Sequence, residues 1–100
     1  MTQPVAVDSV FTALGDPTRR QILEHLGVHG QASATKLAQL PPVSRQAIAK
    51  HLKILEQSGL VYRQVKGKEV CFKAEPNQLA ATGRWLQRKA KQWDENTALS

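Results

Sequence analysis

The stretch SRQAIAKHLKILEQSGLV, residues 44 to 61, decides the fold because it specifies a helix with two unlike faces. Ser44 can cap the N-terminus of this helix, and Gly59 is a natural C-terminal stop. At about 100° per residue, Ile48, Leu52 and Leu55 fall together on one side. The residues that fall opposite are polar or small: Gln46, Ala49, Lys50, Lys53 and Gln57. The stretch therefore predicts a helix that packs by one face and leaves the other in water.

Three shorter helices are predicted before this one. Asp16 followed by Pro17 is a typical helix start, because the carboxylate accepts from free N–H groups and proline suits the first helical position. Ser33 can cap a short third helix, which must end before Pro41-Pro42 because proline disfavours a helical predecessor. The first helix carries Val10, Phe11 and Leu14 and is predicted to stop at Gly15. The second carries Ile22, Leu23 and Leu26 and is predicted to end among Gly27 and Gly30. The third carries Leu37 and Ala38.

After Gly59 the pattern changes from helical to extended. LVYRQV and EVCFKA are rich in β-branched and aromatic residues, and KGK between them supplies the glycine of a hairpin turn. Pro76-Asn77 then opens a last helix, predicted to run to about Asp94. The expected architecture is mainly α with a small β-hairpin, a winged helix-turn-helix in the order α1-α2-α3-α4-β-β-α5. A chain of 100 residues has room for one such domain, residues 1–100.

The positive charge is concentrated in the centre of the chain. Fourteen Lys and Arg against eight Asp and Glu give a net charge of +6. Residues 44–73 contain seven of these bases and two of the acids, so this segment carries +5 of the total. A basic segment of this kind favours a polyanionic partner, and the helix-turn-helix pattern indicates double-stranded DNA.

In a helix-turn-helix, the second helix enters the DNA major groove. The helix face that enters the groove must be solvated in the free protein and able to donate hydrogen bonds. Gln46 can pair with adenine, and Arg45 or Lys50 can pair with guanine or phosphate. Ala49 is small enough to let the backbone approach the bases. The hairpin at 61–74 would lie as a basic wing along the DNA backbone or minor groove. The residues predicted to contact DNA are Ser44, Arg45, Gln46, Ala49, Lys50, His51, Lys53, Arg63, Lys66 and Lys68.

Three segments carry a family resemblance. ALGDPTRRQIL (13–23), SRQAIAKHLKILEQSGLV (44–61) and KGKEVCFKA (66–74) resemble the matching segments of the ArsR-type winged-helix transcriptional repressors, and the similarity extends over about residues 8–95. The resemblance implies a homodimeric bacterial regulator, with the helix from Ser44 as its recognition helix, which would bind a palindromic operator. Ala49 departs from the serine often found at that position in the family.

The last helix is predicted to hold two copies of the chain together. Its apolar residues recur at steps of four and three, and an isolated helix of about 18 residues is barely stable without a packing surface. Folding back on its own chain is the alternative. In the family, the first and last helices of each chain form the dimer, which implies dimerisation through residues 77–95. The expected interface residues are Val10, Phe11, Leu14, Leu79, Gly83, Leu86, Ala90 and Trp93.

His51 has two readings, since it lies at the edge of the apolar arc. It either packs at the helix margin with a hydrogen bond or contacts phosphate; a role as a metal ligand is the least favoured. The ligand sets that metal-sensing relatives use are also absent, because SATKLAQL lacks cysteine and the last helix lacks histidine. His25 and His29 form only a weak two-ligand site, and Cys71 is expected to be a buried, inert thiol. We expect no metal and no cofactor.

Other functional classes find little support in the sequence. There is no phosphate-binding glycine loop, nucleophile motif or inward carboxylate pair, so we expect no enzyme. Without a leader or an apolar run that could span a bilayer, we expect a cytoplasmic protein and no membrane partner. Two alternatives to a metal-independent repressor remain: a metal-responsive repressor that uses His25, His29 or Cys71 across a dimer, and a winged helix that serves mainly to bind proteins.

Overall fold

A computed structural model describes residues 7–40 and 44–98 of the chain. Within these ranges the chain forms five helices and a three-stranded antiparallel sheet. The predicted winged helix-turn-helix order is confirmed. The elements are α1 (Val7–Leu14), α2 (Pro17–His29), β1 (Ala32–Ser33), α3 (Ala34–Leu37), α4 (Arg45–Gln57), β2 (Val61–Lys66), β3 (Glu69–Ala74) and α5 (Pro76–Ala98).

Both ends of α4 are fixed by the residues that the sequence indicated. The Ser44 side chain accepts a hydrogen bond from the Ala47 backbone N–H at 3.1 Å. At the other end, the Leu60 N–H donates to the Leu55 carbonyl and the Gly59 N–H to the Glu56 carbonyl, both at 3.0 Å. Gly59 has a φ of 76°, the left-handed conformation that this type of helix ending requires.

The helices before α4 begin at the predicted caps. Asp16 accepts from the Arg19 backbone N–H at 3.0 Å, and Ser33 accepts from that of Lys36 at 3.1 Å. Helix α2 continues through Gly27 and ends at Gly30, whose φ of 85° stops it there. Helix α3 ends at Leu37, before Pro41-Pro42 as predicted; the two prolines themselves lie outside the described residues.

The sheet contains one strand that the sequence pattern did not predict. Strand β3 lies between β2 and β1, with Ala32 opposite Phe72 and Ser33 opposite Cys71. Two residues are too few to show the alternating pattern of a strand in the sequence, so β1 is identified only by its pairing with β3 in the structure. Gly67 makes the predicted hairpin turn with a φ of 62°. The hairpin is therefore joined along β1 to the segment that leads into α3.

A single apolar core joins every element except α5, which contributes no apolar side chain to it among the described residues. Its fully buried members come from α1, α2, α3, α4 and the segment after α4; they include Val10, Ile22, Leu26, Leu37, Ile48, Leu55 and Leu60. Cys71 is buried in β3, as expected.

Helix α5 is longer than predicted and packs mainly on α1. It begins at Pro76 and has 23 residues, or about 35 Å at 1.5 Å per residue. Of its side chains between 76 and 97, only Thr82 is buried. The radius of gyration is 16.2 Å, compared with about 13 Å for a compact domain of this length. Much of α5 is therefore left uncovered by its own chain.

Two glycines give opposite expectations for substitution by alanine. Gly59→Ala should destabilise the fold by about 1–3 kcal/mol, because a left-handed conformation is strained for alanine. The new Cβ would also lie 2.9 Å from Cγ of Gln78. Gly27→Ala is the control, because Gly27 lies inside α2 with nothing within 4 Å of an added Cβ. It should stabilise by up to about 1 kcal/mol. Urea denaturation at equal protomer concentration would measure both, and equal effects would contradict the assigned helix ending.

Candidate nucleic-acid interface

The polar face of α4 is open to solvent, as predicted. Ile48, Leu52 and Leu55 on the opposite face are at most 2% exposed, which fixes the rotation of the helix about its axis. The side chains that this rotation turns outward are all exposed: Ser44, Arg45, Gln46, Ala49, Lys50, Lys53 and Gln57. The structure thus brings the predicted contact residues of the helix, except His51, together on one uncovered surface.

The hairpin of β2 and β3 borders this surface and will be called the wing. Strand β2 contacts α4, and a groove of about 440 Å³ runs between them. Ala49 and Lys53 line the groove on the α4 side, while Arg63 and Phe72 line it on the wing side. One continuous surface therefore extends from the helix to the wing.

Arg63 is engaged within the chain rather than extended into solvent. Its Nε and Nη2 atoms donate to the two carboxylate oxygens of Glu56 on α4, at 3.0 and 2.9 Å. These hydrogen bonds raise the pKa of the guanidinium. The guanidinium carbon also lies 5.6 Å from the centre of the Phe72 ring. Arg63 thus links the wing to α4, a contact that the sequence analysis did not foresee.

The other two predicted wing cations occupy different positions. Lys66 pairs with Glu69 in the register, and its Nζ lies 3.2 Å from Oε1 of Gln31, before β1. Because side chains alternate along a strand, Lys66 lies on the face of the hairpin opposite that of Arg63. Lys68 is exposed in the turn. Of the three, Lys68 is the best placed to approach a duplex from the tip of the wing.

His51 occupies the packed position at the helix margin. Its Nδ1 atom lies 3.3 Å from Nη1 of Arg19 and 3.9 Å from Oδ2 of Asp16, and its side chain is 19% exposed. The Asp16 carboxylate has a lowered pKa, first because it accepts the Arg19 backbone N–H and then because His51 and Arg19 lie near it. This environment favours the structural reading of His51.

Arg19 was missed by sequence reasoning, although it connects three elements. Its Nε donates to the Ala13 carbonyl at 2.8 Å and its Nη2 to the Thr12 carbonyl at 2.9 Å, both in the last turn of α1. Its Nη1 reaches His51 on α4. The one available signal was a basic residue early in α2, which does not reveal contacts with other helices.

The expected dimer residues divide into an exposed set and a packed set. Leu79, Leu86 and Trp93 are 49%, 48% and 68% exposed, and at 3.6 residues per turn they share one face of α5 with Gly83 and Ala90. Phe11 is 39% exposed, and its ring packs edge-on against Trp85 at 5.9 Å. In contrast, Val10 is fully buried in its own core and Leu14 packs against it. Val10 therefore lies beneath the exposed face, and Leu14 is half-buried beside the core.

Of the residues considered as metal ligands, His25 and His29 lie together on α2, whereas Cys71 lies on β3. The His25 and His29 rings lie 4.3 Å apart on α2, and partial burial, followed by the proximity of His29, lowers the pKa of His25. Over residues 7–40 and 44–98, no three His, Cys, Asp or Glu side chains are grouped so that they could hold a metal ion. Within the same residues, no helix is both long enough and apolar enough to cross a membrane.

Comparisons with known proteins agree with this geometry. Residues 14–63 match the sequence model of a helix-turn-helix domain family. The chain is 40% identical over 81 residues to the HTH-type transcriptional regulator Rv2034 of Mycobacterium tuberculosis, covering 81% of this chain and 75% of that protein. It is 31% identical over 80 residues to the transcriptional repressor SdpR of Bacillus subtilis, covering 80% and 88%. Among solved structures, an ArsR-like transcriptional regulator from Rhodococcus sp. RHA1 matches with a TM-score of 0.89 and 45% identity, covering 93% of this chain and 84% of that one.

The pairing of Arg63 with Glu56 gives an expectation for salt dependence. If Arg63 holds the wing against α4, Arg63→Ala should weaken DNA binding by up to about fivefold, as for loss of an exposed ion pair worth at most ~1 kcal/mol. The slope of log affinity against log salt should stay unchanged. Lys68→Ala is the control, because loss of one phosphate contact should reduce that slope by about 0.9. A reduced slope for Arg63→Ala would instead identify a phosphate contact.

Proposed function

Because this chain belongs to the ArsR-like family of helix-turn-helix transcriptional regulators, we propose that it represses transcription by binding a palindromic operator as a homodimer. The chain is thus a DNA-binding regulator, and the proposal concerns how it binds. The relative SdpR is named a transcriptional repressor, which supports repression over activation.

The observation that carries this proposal is the uncovered polar face of α4 beside the wing. Gln46 presents an amide that can bond bidentately to adenine, and Arg45 or Lys50 can donate to guanine or to phosphate. Ala49 has no side chain beyond Cβ, so the helix can approach the base edges closely at this position. Ser44 and Lys53 lie at the two ends of the same face, where they can contact phosphate. His51, held by Arg19, orients the helix.

The unpartnered face of α5 supports a homodimer. Its apolar residues cover one side of a helix that α1 contacts on a neighbouring side, so a second copy can pack there without displacing a contact within the chain. A two-fold dimer would present two copies of α4, which must lie about 34–36 Å apart to read adjacent major grooves. The operator would accordingly be an inverted repeat. In this proposal residues 1–100 form one winged-helix domain, with a dimerisation helix at about 77–95.

DNA binding by side chains alone accounts for this function without catalysis or a resident metal. The proposed place of action is the cytoplasm of a bacterium, where the operator is accessible. A metal-responsive variant of the proposal would use His25, His29 or Cys71, and it predicts that zinc changes operator affinity. The metal-independent form predicts no such coupling, so a zinc titration of operator binding separates the two.

Substitution of the groove face should abolish specific binding. A duplex selected from random sequence by the wild-type protein serves as the operator, and it should contain an inverted repeat. Gln46→Ala/Lys50→Ala should lose about 2–4 kcal/mol of operator affinity, because each good base contact contributes ~1–3 kcal/mol. The matched control is Lys91→Ala/Gln92→Ala on α5, which removes the same side-chain types from exposed positions outside the site. Equal operator affinity of the two double variants in a fluorescence-anisotropy titration would refute the assigned face.

Substitution of the α5 face should separate the protomers. Leu86→Glu/Trp93→Glu should weaken dimerisation at least about a hundredfold, which corresponds to about 3 kcal/mol, because two apolar side chains lose their packing in each copy. The fold of each protomer should survive, since both residues are about half exposed or more in the single chain. Lys91→Glu, on another side of α5, is the control. Analytical ultracentrifugation would measure the masses, and a wild-type monomer or an unchanged double variant would contradict the dimer.

A further inference from the structure

Two valines are exposed side by side near the tip of the wing. Val65 on β2 and Val70 on β3 face each other in the strand register, and they are 66% and 37% exposed. One cross-strand pair, Lys66 and Glu69, separates them from the short turn that contains Lys68. We will call this pair the valine pair. Single exposed apolar residues are common on protein surfaces, but two in direct cross-strand contact at a projecting tip form a small apolar patch.

The valine pair lies on the side of the wing that faces α4. Side chains alternate along a strand, so Val65 shares a face with Arg63, and Val70 shares the same face with Phe72. Arg63 and Phe72 line the groove between wing and helix. The valine pair therefore continues the inner face of the wing beyond the end of this groove.

The charges around the patch favour a polyanion as its partner. Lys68 is exposed in the turn near the valine pair, and Lys50 and Lys53 are exposed on the polar face of α4. The neighbouring acid Glu69 lies opposite Lys66 in the strand register, on the other face of the wing. Glu56, the acid that borders the groove, is neutralised by Arg63. An apolar patch within a cationic surface fits a partner that offers both phosphate groups and hydrocarbon. In duplex DNA the hydrocarbon is supplied by the deoxyribose rings that line the walls of the minor groove.

We propose that the valine pair packs against deoxyribose rings of the DNA strand that passes between α4 and the wing. This inference rests on the proposed function, because it assumes that α4 occupies the adjacent major groove. Lys68 would hold the neighbouring phosphate while the two valines exclude water from the sugars. The wing would then contribute an apolar component of affinity that salt does not screen, in addition to its electrostatic component.

The test replaces each valine by the isosteric residue threonine. Val65→Thr/Val70→Thr keeps side-chain volume and β propensity, so the exposed strands should fold normally. Affinity for the selected operator should fall about tenfold, because two hydroxyl groups would lose water against the sugars. The slope of log affinity against log salt should stay at the wild-type value. Hydroxyl-radical footprinting should show lost protection of the sugars under the wing, with unchanged protection under α4.

Three control variants are compared with the double threonine variant. Val28→Thr makes the same change at a valine 73% exposed on α2, and it should bind like the wild type. Lys68→Ala should lower the salt slope, which the threonine variant must not do. Gln46→Ala/Lys50→Ala tests the proposed function independently of the wing.

The outcomes distinguish the two proposals. Wild-type affinity of Val65→Thr/Val70→Thr, while the groove-face variant loses binding, would overturn the valine inference and leave the proposed function intact. A threonine variant with a reduced salt slope would also overturn it, because the wing would then have moved away from phosphate. Unchanged DNA binding with lost repression in a cell-free transcription assay would assign the valine pair to a protein partner instead.

Discussion

The burial of Ile48, Leu52 and Leu55 in the core is the contact on which the proposed DNA-binding surface depends. It fixes the rotation of α4, and thereby determines which side chains remain in water. A rotation by one residue, about 100°, would put Ala49, Lys53 and Glu56 in the places of the three apolar residues. Burying a lysine and a carboxylate without suitable partners costs several kcal/mol, so this alternative is excluded energetically. The reading face is therefore a consequence of how the opposite face packs.

Two arginines form side-chain contacts between α4 and its neighbouring elements. Arg19 joins the last carbonyls of α1 to His51, and Arg63 joins the wing to Glu56. A guanidinium group can serve this purpose because its planar fork donates in several directions at once, whereas a lysine acts as a single point charge. Since Phe11 on α1 packs against Trp85 on α5, the contacts of Arg19 connect the proposed dimer surface with α4. Both arginines thus serve mainly to hold neighbouring elements in place relative to α4, although they also add to the net charge.

The features that could be predicted from the sequence are those set by residues close together in the chain. Ser44 bonds to Ala47, and the turn at Gly59 uses backbone groups within five residues, so composition and spacing were enough to predict them. The same local patterns predicted the exposed face of α4. The contacts that were missed join different elements: Arg19 and His51 are 32 positions apart and Lys66 and Gln31 are 35 apart, while Arg63 and Glu56 are only seven apart but lie on the wing and on α4. Strand β1 belongs with them, since its two residues acquire strand character only by pairing with β3. Such contacts depend on the tertiary arrangement and leave no periodic signal.

Helix α5 shows how stability and DNA binding are linked in this chain. It packs on α1, and it exposes Leu86 near its middle and Trp93 near its C-terminus to water. An isolated helix of this length gains little stability from propensity alone. A second copy would bury this face, and it would also set the distance between the two α4 helices. The free energy gained by packing α5 would then contribute to operator affinity, because a preassembled dimer does not lose the entropy of bringing two protomers together on DNA. In the proposed dimer, α5 would therefore contribute to operator affinity although it lies outside the surface proposed to contact DNA.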